Sequence, residues 1–199
     1  TEDPTLLPST QVTLRQVVDG RGTAVDVPES VNIVTAVGEA AVIVQMLGGA
    51  GRLVASSADY TDNLLAAEVF ADEGFVQTQT LWSGSGSSAL GDEAFQTLLE
   101  LHPDVCFTVS GQSTFTDAQL EQLAANQIYC VVLPKLNNPA NIKSAVDVAA
   151  QVLGDKSAEG GTNAPALAAE WSSWYDSILA QVAERVDRFT YNDIDFSYD

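Results

Sequence analysis

Along this chain, stretches in which apolar and polar residues alternate give way repeatedly to stretches with apolar residues three and four apart. Residues Val12–Val17 and Thr23–Val27 read as two short strands around Asp19-Gly20-Arg21-Gly22, a turn whose glycines can take positive φ. This predicts a hairpin. After Pro28 comes the apolar, largely β-branched run Val31–Val37, as expected of a strand covered on both faces and ended by Gly38. Helical spacing follows over Glu39–Leu47 and stops at Gly48-Gly49, and Arg52–Ala55 is a second short strand. Together these make one βαβ unit.

The alternation continues. Asn63–Glu73 reads as helix, Val76–Leu81 as a weaker strand, Glu93–Leu101 as helix and Val105–Val109 as strand. Thr116 is placed to cap a helix over Asp117–Asn126, Ile128–Leu133 reads as another buried strand, and Asn141–Leu153 reads as a helix closed by Gly154. The expected fold class is α/β, a three-layer αβα lobe with a mainly parallel sheet and an N-terminal β-hairpin. Connections between parallel strands are right-handed, so helices cover both faces, and ligands of such open sheets sit at the carboxyl ends of the strands.

Residues 156–163 form a hinge rich in small and polar residues, and a long C-terminal helix starts near Pro165. Its apolar residues Leu167, Trp171, Trp174, Tyr175, Ile178, Leu179, Val182 and Val186 keep helical spacing and form a stripe wide enough to pack against a globular surface. The expected organisation is a hairpin extension over 1–30, an α/β lobe over 31–156, the long helix over 164–188 and a tail over 189–199. That tail alternates aromatic and acidic residues, and reads as an extra strand, an ordered extension of something missing, or a loose end.

Composition narrows the function classes. The 199 residues are 46% hydrophobic, a content sufficient for a full core, and no apolar run approaches a bilayer span. Eight Lys and Arg against 27 Asp and Glu leave a formal charge of -19. Phosphate binding depends on clustered cations, so nucleic acid and anionic lipid surfaces are disfavoured as partners. The chain opens on Thr1 with no charged-then-apolar leader, so a targeting peptide is expected to have been removed or not included. Cys106 and Cys130 fit no CxxC pattern. Both fall on expected strands, either as buried free thiols or as a bridge if their side chains share one face.

Reactive groupings are scarce. Gly84-Ser85-Gly86-Ser87-Ser88 lacks the strand-to-helix context of a nucleophile elbow, and Gly48-Gly49-Ala50-Gly51 follows a helix rather than a strand, so it is no phosphate loop. The single histidine, His102, lies before a strand, away from the ligand end, where a structural role is expected. The pairs Asp72-Glu73, Asp92-Glu93 and Asp193/Asp195 read as solvated surface, without the glycine-turned loop of a calcium hand. No enzyme, metal site or cofactor is expected.

Five segments in order carry a family resemblance. The hairpin Val18–Pro28 with Val31-Asn32-Ile33-Val34 resembles the amino-terminal signature of the substrate-binding proteins of ABC importers for ferric siderophores, haem and cobalamin, the class III periplasmic binding proteins. Leu53–Tyr60 is similar to that family's second strand and ligand-facing loop, and Trp82-Ser83-Gly84 to its third loop. Leu98–Val105 resembles its "L-x-P-D-hydrophobic" strand entry, and Gln127–Val132 its "G-I-x-V" strand. These segments and the long helix cover roughly residues 12 to 186.

In that family two α/β lobes joined by one long rigid helix hold the ligand between them. The resemblance implies that the helix from Pro165 to about Val186 is the linker, and that the chain is the amino-terminal lobe with the second lobe absent, so that it binds weakly alone. It further implies an extracytoplasmic protein, delivering a small-molecule iron complex or corrinoid to ABC permease subunits, with the membrane reached only through an anchor outside this chain. The cleft side would be lined by Gly38 and Glu39, Asp59 and Tyr60, Trp82 and Ser83, Ser110–Phe115 with Gln112 among them, and Lys135. Tyr60, Trp82 and Phe115 would supply flat aromatic walls. With Lys135 the one basic group at this mouth, a neutral ligand is favoured over an anionic catecholate. Haem is less favoured, because ligation from this lobe would fall to Tyr60 alone. The permease-docking Glu of the family, seven residues before the motif proline, is replaced by Gln96, with Glu93 or Glu100 as substitutes. A competing reading is an α/β interaction module whose Trp171 and Trp174 contact a partner protein. It expects an exposed stripe, whereas the importer reading expects those tryptophans to pack on the lobe.

Overall fold

The structure, a computed structural model, describes residues 12–62, 78–159 and 161–186. The expected helix over 63–73, the start of the strand expected at 76, and the tail over 189–199 lie outside the described residues. The hairpin is present, with β1 (Leu14–Val18) antiparallel to β2 (Ala24–Pro28). Its turn is organised by Asp19, whose carboxylate accepts from the Arg21 backbone N–H at 2.9 Å and from Arg21 Nε at 2.8 Å. The hairpin packs on the lobe: Val17 and Val27 are buried in the main core, and Arg15 Nη2 donates to the Val152 carbonyl at 2.7 Å.

The lobe is built on a parallel five-stranded sheet, confirming the expected α/β class. Its strands are β3 (Val34–Ala36), β4 (Leu53–Ser57), β5 (Gln79–Trp82), β6 (Val105–Val109) and β7 (Tyr129–Leu133), in the spatial order β5-β4-β3-β6-β7. Chain order reverses between β3 and β6, which makes their carboxyl ends the switch point where such sheets open a crevice. Among the described residues the helices are α1 (Gly38–Val44), α2 (Ala58–Thr61), α3 (Asp92–Leu101), α4 (Asp117–Ala125), α5 (Pro139–Leu153) and α6 (Ala164–Val186). One face of the sheet packs on α1, α5 and the start of α6 around Phe107, Val131 and Leu133. The other packs on α3 and α4 around Phe95, Leu98, Leu123 and Ile128. Every residue of β6 is buried, the pattern of a strand covered on both faces.

Several boundaries differ from the sequence expectation for definite reasons. The strand expected over 31–37 is reduced to Val34–Ala36. The Asn32 and Ile33 N–H groups leave the ladder to donate to Asp104 Oδ2, at 2.6 and 2.9 Å. Helix α1 ends at Val44 and passes through a π-type turn in which Gly48 takes φ 72°. Helix α5 starts two residues early because Asn138 accepts from the Asn141 N–H at 2.9 Å and Pro139 occupies the first turn. The cap on α4 is as expected: Thr116 and Gln119 bond reciprocally. His102 closes α3 in the left-handed region at φ 46°, its N–H donating to the Leu99 carbonyl, so its place is structural.

The apolar stripe of α6 divides. Leu167 and Trp171 pack against the main core, and Trp171 stacks on Tyr175 at 4.8 Å. Trp174 is 57% exposed and Val186 60% exposed, so the second half of the helix presents apolar residues outward. The tryptophans thus satisfy neither reading in full. Cys106 and Cys130 face each other in register on β6 and β7, as two free thiols on one face. Thr35 Oγ1 donates to Cys106 Sγ at 3.0 Å, while burial and the neighbouring Cys130 push the Cys106 thiol well up.

Candidate functional site

At the carboxyl ends of the strands the backbone itself shapes a groove. The Gly38 N–H, at the start of α1, donates to Ser57 Oγ at 2.7 Å, and Ser56 Oγ donates to the Ala36 carbonyl at 2.7 Å. These buried bonds tie the ends of β3 and β4 together. The next loops are lashed in the same way, Asp59 N–H to the Gly84 carbonyl at 3.0 Å and Ser113 N–H to the Ser87 carbonyl at 3.1 Å. Gly38 holds φ 42° with the Ser85 carbonyl 3.3 Å from where a Cβ would stand, so a side chain there is disfavoured twice over.

Glu39 stands at the middle of this end. On one side a depression of about 380 Å³ is lined by Gly38, Val42, Asp59 and Tyr60 as well as Glu39. On the other, a depression of about 220 Å³ runs from Glu39 over Ser110–Gln112 to Lys135 and Asn137. That second half lies at the β3–β6 switch point. Glu39, Asp59, Ser83 and Lys135 are exposed, and among the described residues Lys135 makes no ion pair. Among the described residues the mouth therefore carries two carboxylates against one ammonium. Among the described residues no group of three His, Cys, Asp or Glu is placed to hold a metal ion.

The aromatic residues are arranged differently from the expected flat walls. Tyr60 is 2% exposed, and its hydroxyl donates to Gln45 Oε1 in the core. Burial raises its pKa to about 12. Its ring is therefore a structural wall of the groove, and the phenol is not presented as an axial ligand. Trp82 is also 2% exposed and meets Phe115 edge to face at 5.8 Å. Only half-buried Phe115 keeps part of its ring at the surface. The reason is local: Trp82 ends β5, and Tyr60 lies in the single turn of α2, each on an inward-facing position.

Of the expected residues, the structure brings Glu39, Asp59 and Tyr60 to one depression and Glu39, Gln112 and Lys135 to the other. Trp82, Ser83 and Phe115 line neither. Leu136 and Asn137 also line the groove, and Ser57 holds its floor; sequence reasoning passed over all three. The Lys135–Asn138 stretch between β7 and the α5 cap was the available signal, since it had to follow a strand end. On α3, Glu93, Gln96 and Glu100 are all exposed, at spacings that place them along one face.

No protein-family model and no curated protein matches the sequence. Solved structures do match the fold. A molybdate-bound periplasmic binding protein from Haemophilus influenzae aligns with a TM-score of 0.67 at 14% identity, over 89% of this chain and 55% of its own. A periplasmic solute-binding protein from Veillonella parvula aligns with a TM-score of 0.61 at 13% identity, over 86% of this chain and 48% of its own. A structure of Staphylococcus aureus SirA complexed with staphyloferrin B aligns with a TM-score of 0.56 at 11% identity, over 83% of this chain and 48% of its own. The chain thus spans about half the length of the solved proteins it matches, and at these identities what is shared is the fold.

Proposed function

We propose that this chain is the capture surface of an extracytoplasmic substrate-binding component of an ABC importer, and that it takes up an iron complex of the siderophore kind or a corrinoid. The observation that carries the reading is the groove at the β3–β6 switch point, set in a fold shared with half of several periplasmic binding proteins. Its electrostatics refine the ligand class. Glu39 and Asp59 outweigh Lys135, so a multiply charged anion meets net repulsion at this face. A neutral ferric hydroxamate or a corrinoid fits better than a catecholate or haem. Binding needs no catalytic group, and the chain acts as a carrier rather than an enzyme. The exposed α3 face with Glu93, Gln96 and Glu100 is the face offered to the permease, where charge steers encounter more than it holds. The test is a tryptophan-fluorescence titration with a neutral ferric trihydroxamate, a ferric catecholate, hemin and cyanocobalamin. Saturable quenching by the neutral ligands, with weaker or no response to the catecholate and hemin, supports the reading. No saturable response to any of the four overturns it.

A second reading has one observation in its favour, the exposed Trp174, Ile178, Val182 and Val186 along α6. There the domain docks a partner protein through the second half of that helix. It predicts that Trp174→Ala abolishes partner contact while leaving all small-ligand titrations silent.

A further inference from the structure

Thr35, Cys106 and Cys130 form a row across three neighbouring strands. Thr35 of β3 is in register with Cys106 of β6, and Cys106 in turn with Cys130 of β7. Residues in register on parallel strands share a face of the sheet, and both cysteines pack in the cluster that α3 and α4 cover. The two thiols are thus direct neighbours across the ladder, although remote in sequence.

Their surroundings give them different parts to play. Cys106 is 1% exposed, and its Sγ accepts from Thr35 Oγ1 at 3.0 Å, which fixes where the sulfur sits. Burial pushes its thiol well up, so it stays protonated and inert toward reagents from outside. Cys130 is half-buried and lines a depression of about 200 Å³ behind the 110–115 loop, between Phe115 and Leu120 on one side and Val132 on the other. A small molecule therefore meets Cys130 first, and Cys106 lies directly behind it.

Strand geometry sets what the pair can do. Neighbouring strands lie about 4.8 Å apart, so the Cα separation of an in-register pair falls within the roughly 4.4–6.8 Å of bridged cysteines, while its Cβ atoms stand slightly wider than the usual span of about 3.5–4.5 Å. A bridge closes here with a small approach of the strands, and bridges under such strain exchange readily instead of acting as permanent staples. We infer that Cys130 and Cys106 are a reversible dithiol–disulfide pair, closed by exchange with a small uncharged disulfide and reopened by a thiol. The structure describes its open form. In the closing reaction Cys130 gives up its proton and attacks one sulfur of the external disulfide. That S–S bond breaks, and the first alkyl thiolate leaves and takes up a proton. Cys106, held beside the mixed disulfide, then gives up its proton and attacks Cys130 Sγ, forming the Sγ–Sγ bond and expelling the second alkyl thiol. Two protein thiols are oxidised, and one external disulfide is reduced to two thiols. Closure ties β6 to β7 just behind the Ser110–Gln112 and Lys135 side of the groove.

The inference stands apart from the importer reading and is tested without any importer ligand. The formal charge of -19 makes an uncharged probe the suitable one, and bis(2-hydroxyethyl) disulfide is used. The fully reduced chain, freed of reductant and kept folded, is treated with it and followed by thiol titration and intact mass. Loss of both thiols is expected, with a mass two hydrogens below that of the reduced chain and no hydroxyethylthio group retained. Cleavage after Glu121, which lies between the cysteines, should leave the two flanking peptides joined until dithiothreitol is added. Cys106→Ala is expected to stop at one retained group on Cys130, and Cys130→Ala to react at least about tenfold more slowly than wild type. Circular dichroism checks that both variants are folded, and the wild-type result needs neither of them. A group retained on the wild-type chain, a bridge that forms only in urea, chains linked to one another, or a folded Cys130→Ala that reacts as fast as wild type would each overturn it.

Discussion

Asp104 offers the sharpest test of how the sheet is held. Its carboxylate accepts from the Asn32 and Ile33 backbone N–H groups at 2.6 and 2.9 Å, bridging more than seventy residues of sequence at the entry to the central strand. A hydrogen bond to an ionised group contributes about 1.5–3 kcal/mol. Asn32 is exposed and recovers part of that from water, while Ile33 is half-buried and recovers less. Asp104→Ala is therefore expected to cost about 2–3 kcal/mol. For a chain of this size that is a fall in Tm of about 5–10 °C. Asp104→Asn keeps one neutral acceptor and is expected to cost about half as much. Urea unfolding followed by circular dichroism checks both values, and the denaturant slope should not change. Amide hydrogen exchange at residues 32 and 33 should accelerate in Asp104→Ala ahead of the rest of the sheet. An Asp104→Ala protein within about 0.5 kcal/mol of wild type would refute the reasoning, because the bonds would then contribute nothing beyond what water supplies.

Other expectations follow from the same geometry. Burial raises the Tyr60 pKa to about 12, so the folded state favours the neutral phenol. The associated stability is intact below the unfolded value near 10 and is lost as pH rises toward 12. Denaturant midpoints between pH 9 and 12 should fall, and Tyr60→Phe should flatten that fall. A Cβ at Gly20 would overlap the Leu133 and Pro134 backbone, so Gly20→Ala is expected to destabilise by about 1–3 kcal/mol or free the hairpin, read as faster exchange at the residue 20 amide. A thiol-reactive chromophore should titrate half-buried Cys130 before buried Cys106 in the native chain, and both after denaturation. No reactive thiol in the denatured, unreduced chain, with two appearing on reduction, would contradict that assignment.

Much of the architecture was legible because it is local. The mostly apolar, β-branched run of β6, the period of α4 and the Thr116 cap each depend on a few neighbouring residues, and each appears where the pattern predicts. The groove was legible at Glu39, Asp59 and Lys135 because residues just past strand ends must gather at one edge of a parallel sheet. What escaped was long-range. The shortening of β3 depends on Asp104, far along the chain, and alternation alone does not show that a carboxylate will outcompete the ladder for two N–H groups. The burial of Tyr60 and Trp82 is of the same kind. An aromatic at a strand or helix end can turn outward to a ligand or inward to the core, and Gln45 and Phe115, the partners that decide it, are remote in sequence. Ser57 looks like one more strand residue until its hydroxyl is seen to anchor the Gly38 loop.

The central claim, that ligand is taken at the carboxyl-end groove, is tested most directly by paramagnetic mapping. The isotope-labelled chain is titrated with a neutral ferric trihydroxamate, and the gallium analogue serves as the diamagnetic control. The account predicts saturable broadening of the Gly38, Glu39, Asp59, Gly111, Lys135 and Asn137 amides by the ferric complex, and shifts of the same amides by the gallium one. Broadening centred instead on residues 174–186 of α6, or no saturable broadening anywhere, would contradict it.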